Sequence, residues 1–533
     1  MERPPSPRVT TPSDEAPSGS GREARAATRV GAGIFLSRVL GLVRMQLRAH
    51  FLGTSDFADA WTVALKLPNT IRNLLGEGTL SASMVPVYSE FLEQGRHEDA
   101  KRFAGAVLGI VAVAAGVLVL LGEIFVAPLV RLLLFDGFPE KQDLTITLVR
   151  VLLPMSGIFV ISGWAMGVLD SHRRFFVSYV APVFWNLALI STLAAGGFYW
   201  GLGQRDLAVA LAWGALVGGG LQLAFVTPFV LRHLGVLRPS LGRGVAGVPE
   251  AIRNWVPVVA ARGVVNVSSL IEALLAARLS VGAVAILGYA QTFYLLPISL
   301  FGISVAASEL PELSRMRGEH RDVLSARVSA ALLRVSYFLI PSAIGYLALG
   351  DVVIAVFFEH GEFGAAQTLV TWAVLAAFAV GLPASASSRA LSSMFYALRD
   401  TRTPARIAYL RVGVSIVIGV LAMYPLDRYG FAGVRFGAVG LALGASCAAW
   451  LEYVMLRRAL GREIGPHGPA VGPIVRLVFA GALAAGAGVT LQLILPPAQP
   501  WLVALETLVP FGVVYLAAAA LLGQGIDLRR STS

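Results

Sequence analysis

The sequence predicts an all-α membrane protein of about fourteen transmembrane helices, arranged as two parallel six-helix lobes around a central cavity plus two C-terminal helices. Three observations predict it. The 533 residues are 56% hydrophobic and only 14% charged, with a mean hydropathy of +0.71. Apolar runs of about 20 residues recur between short polar loops, each long enough to cross a bilayer as a helix. Weak self-similarity appears at an offset of about 229 residues. Lipid offers no partner to exposed backbone groups, so the runs are helices; a barrel would show short alternating strands.

Residues 1–29 combine Pro, Ser, Arg and acidic residues without an apolar block, which predicts a disordered cytoplasmic tail. The first apolar run begins too late, and too many follow, for a cleavable signal peptide. Six spans are expected near 31–51, 57–75, 103–124, 144–168, 176–199 and 207–231, forming an N-lobe over 30–232. A basic, Gly-rich linker, 233–253, follows. Six more are expected near 255–279, 284–307, 328–349, 366–391, 404–424 and 437–456, forming a C-lobe over 254–458. The last two, near 473–495 and 501–523, have no counterpart in the repeat and form an appendix over 470–525.

The loop charges set the orientation. One set of alternate connections holds Arg96, Lys101 and Arg102; Arg173 and Arg174; Arg232, Arg238, Arg243 and Arg253; Arg315, Arg317, Arg321 and Arg327; Arg399, Arg402 and Arg406; Arg457, Arg458 and Arg462; and Arg529 with Arg530. The other set has Lys141, Arg205, Arg428 and Arg435. The positive-inside rule then places both termini in the cytoplasm of a multi-pass inner-membrane protein. The net charge of +11 is dispersed over these loops and is not a nucleic-acid signature.

The repeat shows in matched features. Leu169-Asp170-Ser171-His172-Arg173-Arg174 and Leu398-Arg399-Asp400-Thr401-Arg402-Thr403-Pro404 each join one span to the next. Pro68 matches Pro297. Leu132 to Phe138 and Val356 to Phe363 read as short surface helices ending in a Gly turn. An even number of spans per copy makes the repeats parallel, about an axis along the membrane normal. Transporters built this way hold cargo between lobes and rock to expose it to each side. Pro68, Pro154, Pro182, Pro257, Pro297, Pro341 and Pro383 lie inside spans as possible bending points, though Pro is common in membrane helices.

Charge at membrane depth is expensive and seldom idle. Arg38 and Arg44 lie on the first span, about 120° apart around the helix. Asp59 opens the second span and Arg72 lies near its end. Arginine binds phosphate through a planar fork and stays charged, so the set points to an anionic cargo. The competing reading is that these arginines reach an interface or pair with Asp59 or Glu77. On the seventh span, Arg262 and Glu272 share one broad face; Glu272 is an ion-coupling candidate, or half of a structural pair. Arg411 and Glu452 add charge to the second lobe, Glu452 within reach of loop arginines.

Enzyme chemistry is not indicated: no P-loop, GxSxG or HExxH pattern occurs. The single cysteine, Cys447, reads as a packed side chain in an apolar helix, and no Cys/His cluster suggests a metal. His97, His172, His233, His320 and His467 fall in loops and read as solvated. No cofactor is expected, and a monomer is.

Ser37-Arg38-Val39-Leu40-Gly41-Leu42-Val43-Arg44, Asp59-Ala60, Lys66-Leu67-Pro68-Asn69, Arg72, Glu77-Gly78, Val85-Pro86 and Arg399 to Pro404 together resemble the MurJ/MviN lipid II flippase family, of the multidrug/oligosaccharidyl-lipid/polysaccharide exporter superfamily. The resemblance covers about 30–525 and is most specific at the amino-terminal motif. It implies movement of lipid II, the undecaprenyl-pyrophosphate-linked peptidoglycan precursor, from the cytoplasmic to the outer leaflet. It carries Arg38, Arg44 and Arg72 over as head-group ligands, with Asp59 a functional partner, and makes the last two spans a groove for the lipid tail. The chain departs from the family pattern as well. Gln291 and Thr292 replace an Asp-Arg pair of the eighth span, and Met45 replaces an acidic residue after Arg44. Gly419 and Ala448 stand where a sodium site has polar ligands, while Glu272 keeps its acidic character. Arg262 is then expected to supply the missing cavity arginine. Export of another polyprenyl-linked saccharide, drug/cation antiport, and a non-transporting scaffold for envelope assembly are the competing functions.

Overall fold

The computed structural model describes residues 20–524 except 77, 136–137, 303–319, 399 and 496–498; the side chains of 20–30, 261, 262, 264 and 265 are also outside the description. Arg315 and Arg317 therefore lie outside the described residues, as does the tail before Ser20.

Over the stretch expected as the first lobe lie α1 (Ser20–Leu52), α2 (Asp56–Ala64), α3 (Lys66–Leu75), α4 (Thr79–Glu93), α5 (His97–Leu133), α6 (Pro139–Ser171), α7 (Phe175–Ala194) and α8 (Gln204–Leu234). Over that expected as the second lie α9 (Val248–Ala276), α10 (Ala283–Pro297), α11 (Arg321–Phe358), α12 (Ala365–Ala397), α13 (Arg402–Leu426) and α14 (Gly437–Ile464). Helices α15 (Val471–Ile494) and α16 (Pro500–Leu521) pair with each other and pack on α11. A π turn extends α7 over Ala195–Tyr199 and another extends α10 over Ile298–Gly302.

Among the described residues, eleven helices are long and apolar enough to cross a membrane. The three expected crossings outside this set are α1, the α2–α3–α4 series and α9. They carry Arg38 and Arg44, Asp59 and Arg72, and Arg262 and Glu272. Packing compensates for their polarity: α3 and α4 lie on α9, and α2 lies on α10, so these helices meet between the lobes.

Several expectations change. Helix α1 begins at Ser20, inside the stretch expected to be unstructured. The second crossing continues through α4, whose Leu80, Met84, Val87, Tyr88 and Phe91 recur at helical spacing and are buried. Leu132 and Leu133 are the last turn of α5, not a separate surface helix. Val356 to Phe358 end a segment of α11 beyond a kink at Leu349 (φ −130°, ψ 18°). Cys447 is exposed, not packed; it shares its face of α14 with exposed Trp450, three residues on. The linker after α8 lies directly on α5, with Ser240 N–H donating to Gly105 carbonyl at 3.2 Å. A Cβ at Gly109 would stand 2.1 Å from the Ser240 carbonyl oxygen, so only glycine admits this approach.

Candidate functional site

The lobes lock together at one end of the bundle, where α1 stops and α2 begins. Asp59, 1% exposed in the first turns of α2, reaches across to the start of α10. Its Oδ2 accepts from Gly282 N–H and its Oδ1 from Ala285 N–H, both at 2.8 Å. A carboxylate of one lobe thus satisfies the free amides at a helix start in the other. Lys141 on α6 donates to the same Oδ2 at 2.7 Å and lies 2.8 Å from Asp56 Oδ1. It is 7% exposed, with its ammonium 4.2 Å from the Phe135 ring centre. From sequence Lys141 reads as a loop charge; it is instead the buried counter-ion of Asp59. The signal available was its place two residues into a helix, opposite an acidic pair.

Glycine permits the closure. Gly282 has φ +87°, and a Cβ there would stand 2.5 Å from Thr54 carbonyl oxygen. Beside it, Tyr289 donates its hydroxyl to Gly53 carbonyl at 3.1 Å, and Glu362 N–H donates to His50 carbonyl at 2.9 Å.

On α1 and α3, Arg44 lies in the field of Arg48 and Arg72. Each guanidinium rests on an aromatic ring from a different helix: Arg44 on Trp185 at 4.5 Å, Arg48 on Tyr289 at 4.8 Å, and Arg72 on Phe159 at 5.2 Å. Among the described residues none of the three has a carboxylate within ion-pairing distance. The ring faces orient the cations. The Nε of Arg48 and the Nε of Arg72 are buried without a hydrogen-bond partner. Arg48 went unremarked in the sequence because it sits near the end of the first span, where arginine is common; its one-turn spacing from Arg44 was the available signal. Arg38 lies nearer the amino terminus of α1 and is exposed. Asp59 is not among these arginines: its partners are Lys141 and α10.

A second polar seam joins α3 to α9 and α10. Lys66 Nζ donates to Ser269 Oγ at 3.0 Å, and Asn73 Nδ2 to Asn266 Oδ1 at 3.0 Å. Gln291 donates to Glu272 Oε2 at 2.8 Å, and Lys66 lies in the field of Glu272. Thr292 Oγ1 stands 3.5 Å from Met45 Sδ, so two positions that depart from the family pattern touch. Arg262 belongs to α9, with its side chain outside the described residues. Glu452 pairs with Arg411 at 2.7 Å, not with loop arginines.

At the basic end, His172 is not simply solvated: its Nε2 is 3.1 Å from Tyr88 Oη, and its ring stacks on His233 at 4.1 Å. His467 is buried. No grouping of His, Cys, Asp and Glu among the described residues could hold a metal ion.

Two groups of helices joined by main-chain and carboxylate contacts, with three arginines that have no carboxylate partner among the described residues, define the fold of a polytopic helical membrane protein. Solved structures share it. An inward-closed lipid II flippase MurJ aligns over 92% of this chain and 98% of its own, with TM-score 0.76 and 22% identity. An inward-facing multidrug resistance MATE family transporter of the MOP superfamily aligns over 82% and 98%, with TM-score 0.63 and 17% identity. The model of the family "Lipid II flippase MurJ" matches residues 48–522. The "Probable lipid II flippase MurJ" of Rhizobium tropici is 32% identical over 81% of this chain and 80% of its own. The "Lipid II flippase MurJ" of Burkholderia cenocepacia is 32% identical over 87% and 89%. The chain belongs to the lipid II flippase MurJ family, a family of multi-pass inner-membrane transporters.

Proposed function

We propose that this protein translocates lipid II from the cytoplasmic to the periplasmic leaflet by alternating access, without hydrolysing ATP. The observation that carries the reading is the trio Arg44, Arg48 and Arg72, three guanidiniums held on aromatic rings with no carboxylate partner among the described residues. A diphosphate supplies the missing negative charge and accepts bidentate hydrogen bonds from such forks. Exposed Arg38 is the entry ligand, and Arg262 adds charge from α9. A cationic drug would be repelled by this set.

In this reading the arginine-rich loops and both termini face the cytoplasm. The Asp59 latch is the periplasmic gate, closed here. Toward the cytoplasm, exposed Phe35, Leu36 and Val39 on α1, and Leu295 and Leu300 on α10, flank the route by which a lipid enters from the side. The α15–α16 pair and α11 form the groove for its tail. Glu272, between Lys66 and Gln291, exchanges a proton or a monovalent cation as the seam opens. The protein works as a monomer.

The test is reconstitution into vesicles with labelled lipid II, scoring leaflet exchange with and without an imposed voltage. Wild type exchanges lipid; Arg44→Gln and Arg72→Gln lose most of the rate while purifying as folded protein. Undiminished exchange in both variants overturns the proposal.

A further inference from the structure

The second lobe holds a basic cluster that the diphosphate site does not use. Arg389 on α12, Arg411 on α13 and Glu452 on α14 lie within one another's fields, together with Tyr294 on α10. Arg411 Nη1 lies 2.7 Å from Glu452 Oε2, which occupies the nearest carboxylate. Arg389 is left over. It is exposed although it sits within a membrane helix, and among the described residues no carboxylate lies within ion-pairing distance of it. Tyr294 Oη and Ser385 Oγ, 2.6 Å apart, add hydroxyls to the same wall. That wall continues to Glu272 on α9, which also feels Arg411. Helices α9 and α10 both pack on the first lobe, so the cluster borders the space between lobes.

The two basic sites differ in charge. Among the described residues the first-lobe arginines have no acidic partner, which suits a polyvalent diphosphate. Arg389, Arg411 and Glu452 leave one positive charge over, which suits a monovalent anion; a second diphosphate there would also face Glu452. The charges that Arg44 feels come from Arg48 and Arg72, while those that Arg389 feels come from Arg411 and Glu452. A planar fork matches a carboxylate bidentately as well as it matches phosphate. A cargo with a peptide on its head group carries carboxylates, at its free C-terminus at least, beyond its diphosphate.

We propose that Arg389, supported by Arg411, binds a carboxylate of the cargo's peptide while the first-lobe arginines bind its diphosphate. This rests on the lipid II reading above and assigns the second lobe the task of telling a peptide-bearing head group from a bare lipid diphosphate. Arg389 is the residue to change, because its removal leaves no partner unpaired.

The experiment measures affinity of the full-length protein in nanodiscs for two lipids: polyprenyl diphosphate alone, and the full diphosphate–disaccharide–peptide lipid. Arg389→Gln is expected to weaken binding of the full lipid about tenfold or more, the worth of a charge-assisted hydrogen bond, and to leave polyprenyl diphosphate binding unchanged. Unchanged binding of the short lipid also reports that the variant is folded. Arg389→Lys recovers part of the loss, and amidating the peptide carboxylates makes wild type and Arg389→Gln alike. Equal weakening of both lipids, or no change in either, overturns the proposal. If Arg44→Gln binds both lipids as wild type does, the diphosphate reading fails instead.

Discussion

Replacing Lys141 by Met tests the latch where it is most exposed to failure. In the closed arrangement Asp59 is 1% exposed and holds Lys141 at 2.7 Å and two α10 amides at 2.8 Å. Lys141 and Asp59 belong to the same lobe, so they stay neighbours when the lobes part. Water then reaches them, and an exposed pair is worth at most about 1 kcal/mol. Removing one partner of a buried pair costs about 3–5 kcal/mol. The cost therefore falls on the closed state. The two amides remain, so we take the lower end, about 3 kcal/mol, which shifts the closed-to-open ratio roughly a hundredfold. Paired labels read this directly. Arg205 and Arg428 are exposed at this end of the bundle, one in each lobe, and can be changed to Cys once Cys447, the sole cysteine, is changed to Ala. Spin–spin distances should be short in wild type, long in Lys141→Met, and short again in Lys141→Arg. In an Asp59→Asn background, Lys141→Met should add little. An unchanged distance, or an equal shift with and without the Asp59 carboxylate, refutes the reasoning.

Two further outcomes follow from the same structure. Gly282→Ala places a methyl 2.5 Å from Thr54 carbonyl oxygen at φ +87°, adding left-handed strain of about 1–2 kcal/mol to the clash; the same label pair should report an opened gate, and a wild-type distance would show that the loop yields. His172, beyond the end of α6, has its imidazole pushed down from 6.5 to about 4, first by burial and then by His233. The unfolded chain takes up this proton near pH 6.5 and the folded one only near pH 4. Stability is therefore full above that window and falls as pH drops through it. Melting temperature should decline from pH 7 to pH 4.5 in wild type and less so in His172→Gln, and parallel declines would refute the assignment.

Much of the architecture was legible because membrane helices write themselves locally. A run of apolar residues near α5, α8 or α12 has one satisfactory structure in lipid, whatever surrounds it. The charges carried within α1, α2, α3 and α9 were as informative. Arg44 and Arg72 could be picked out for the same reason: an ion at membrane depth is costly unless it is used. What stayed hidden was pairing. Sequence offered Asp59 as a partner for the arginines and Lys141 as a loop charge; Glu77, the other partner it offered, lies outside the described residues. Asp59 and Lys141 are 82 residues apart, and Asp59 and Gly282 are 223 apart. No local pattern encodes contacts of that range.

The sequence by itself determined the helices and the arginines carried within them, because hydropathy and charge act residue by residue. Only the tertiary structure decided which ions neutralise each other. It spent Asp59 on Lys141 and α10, spent Glu452 on Arg411, and, among the described residues, left Arg44, Arg48, Arg72 and Arg389 without a carboxylate. The physical reason is distance: Coulomb attraction and hydrogen bonding depend on separations in space, and those are set by how the lobes pack.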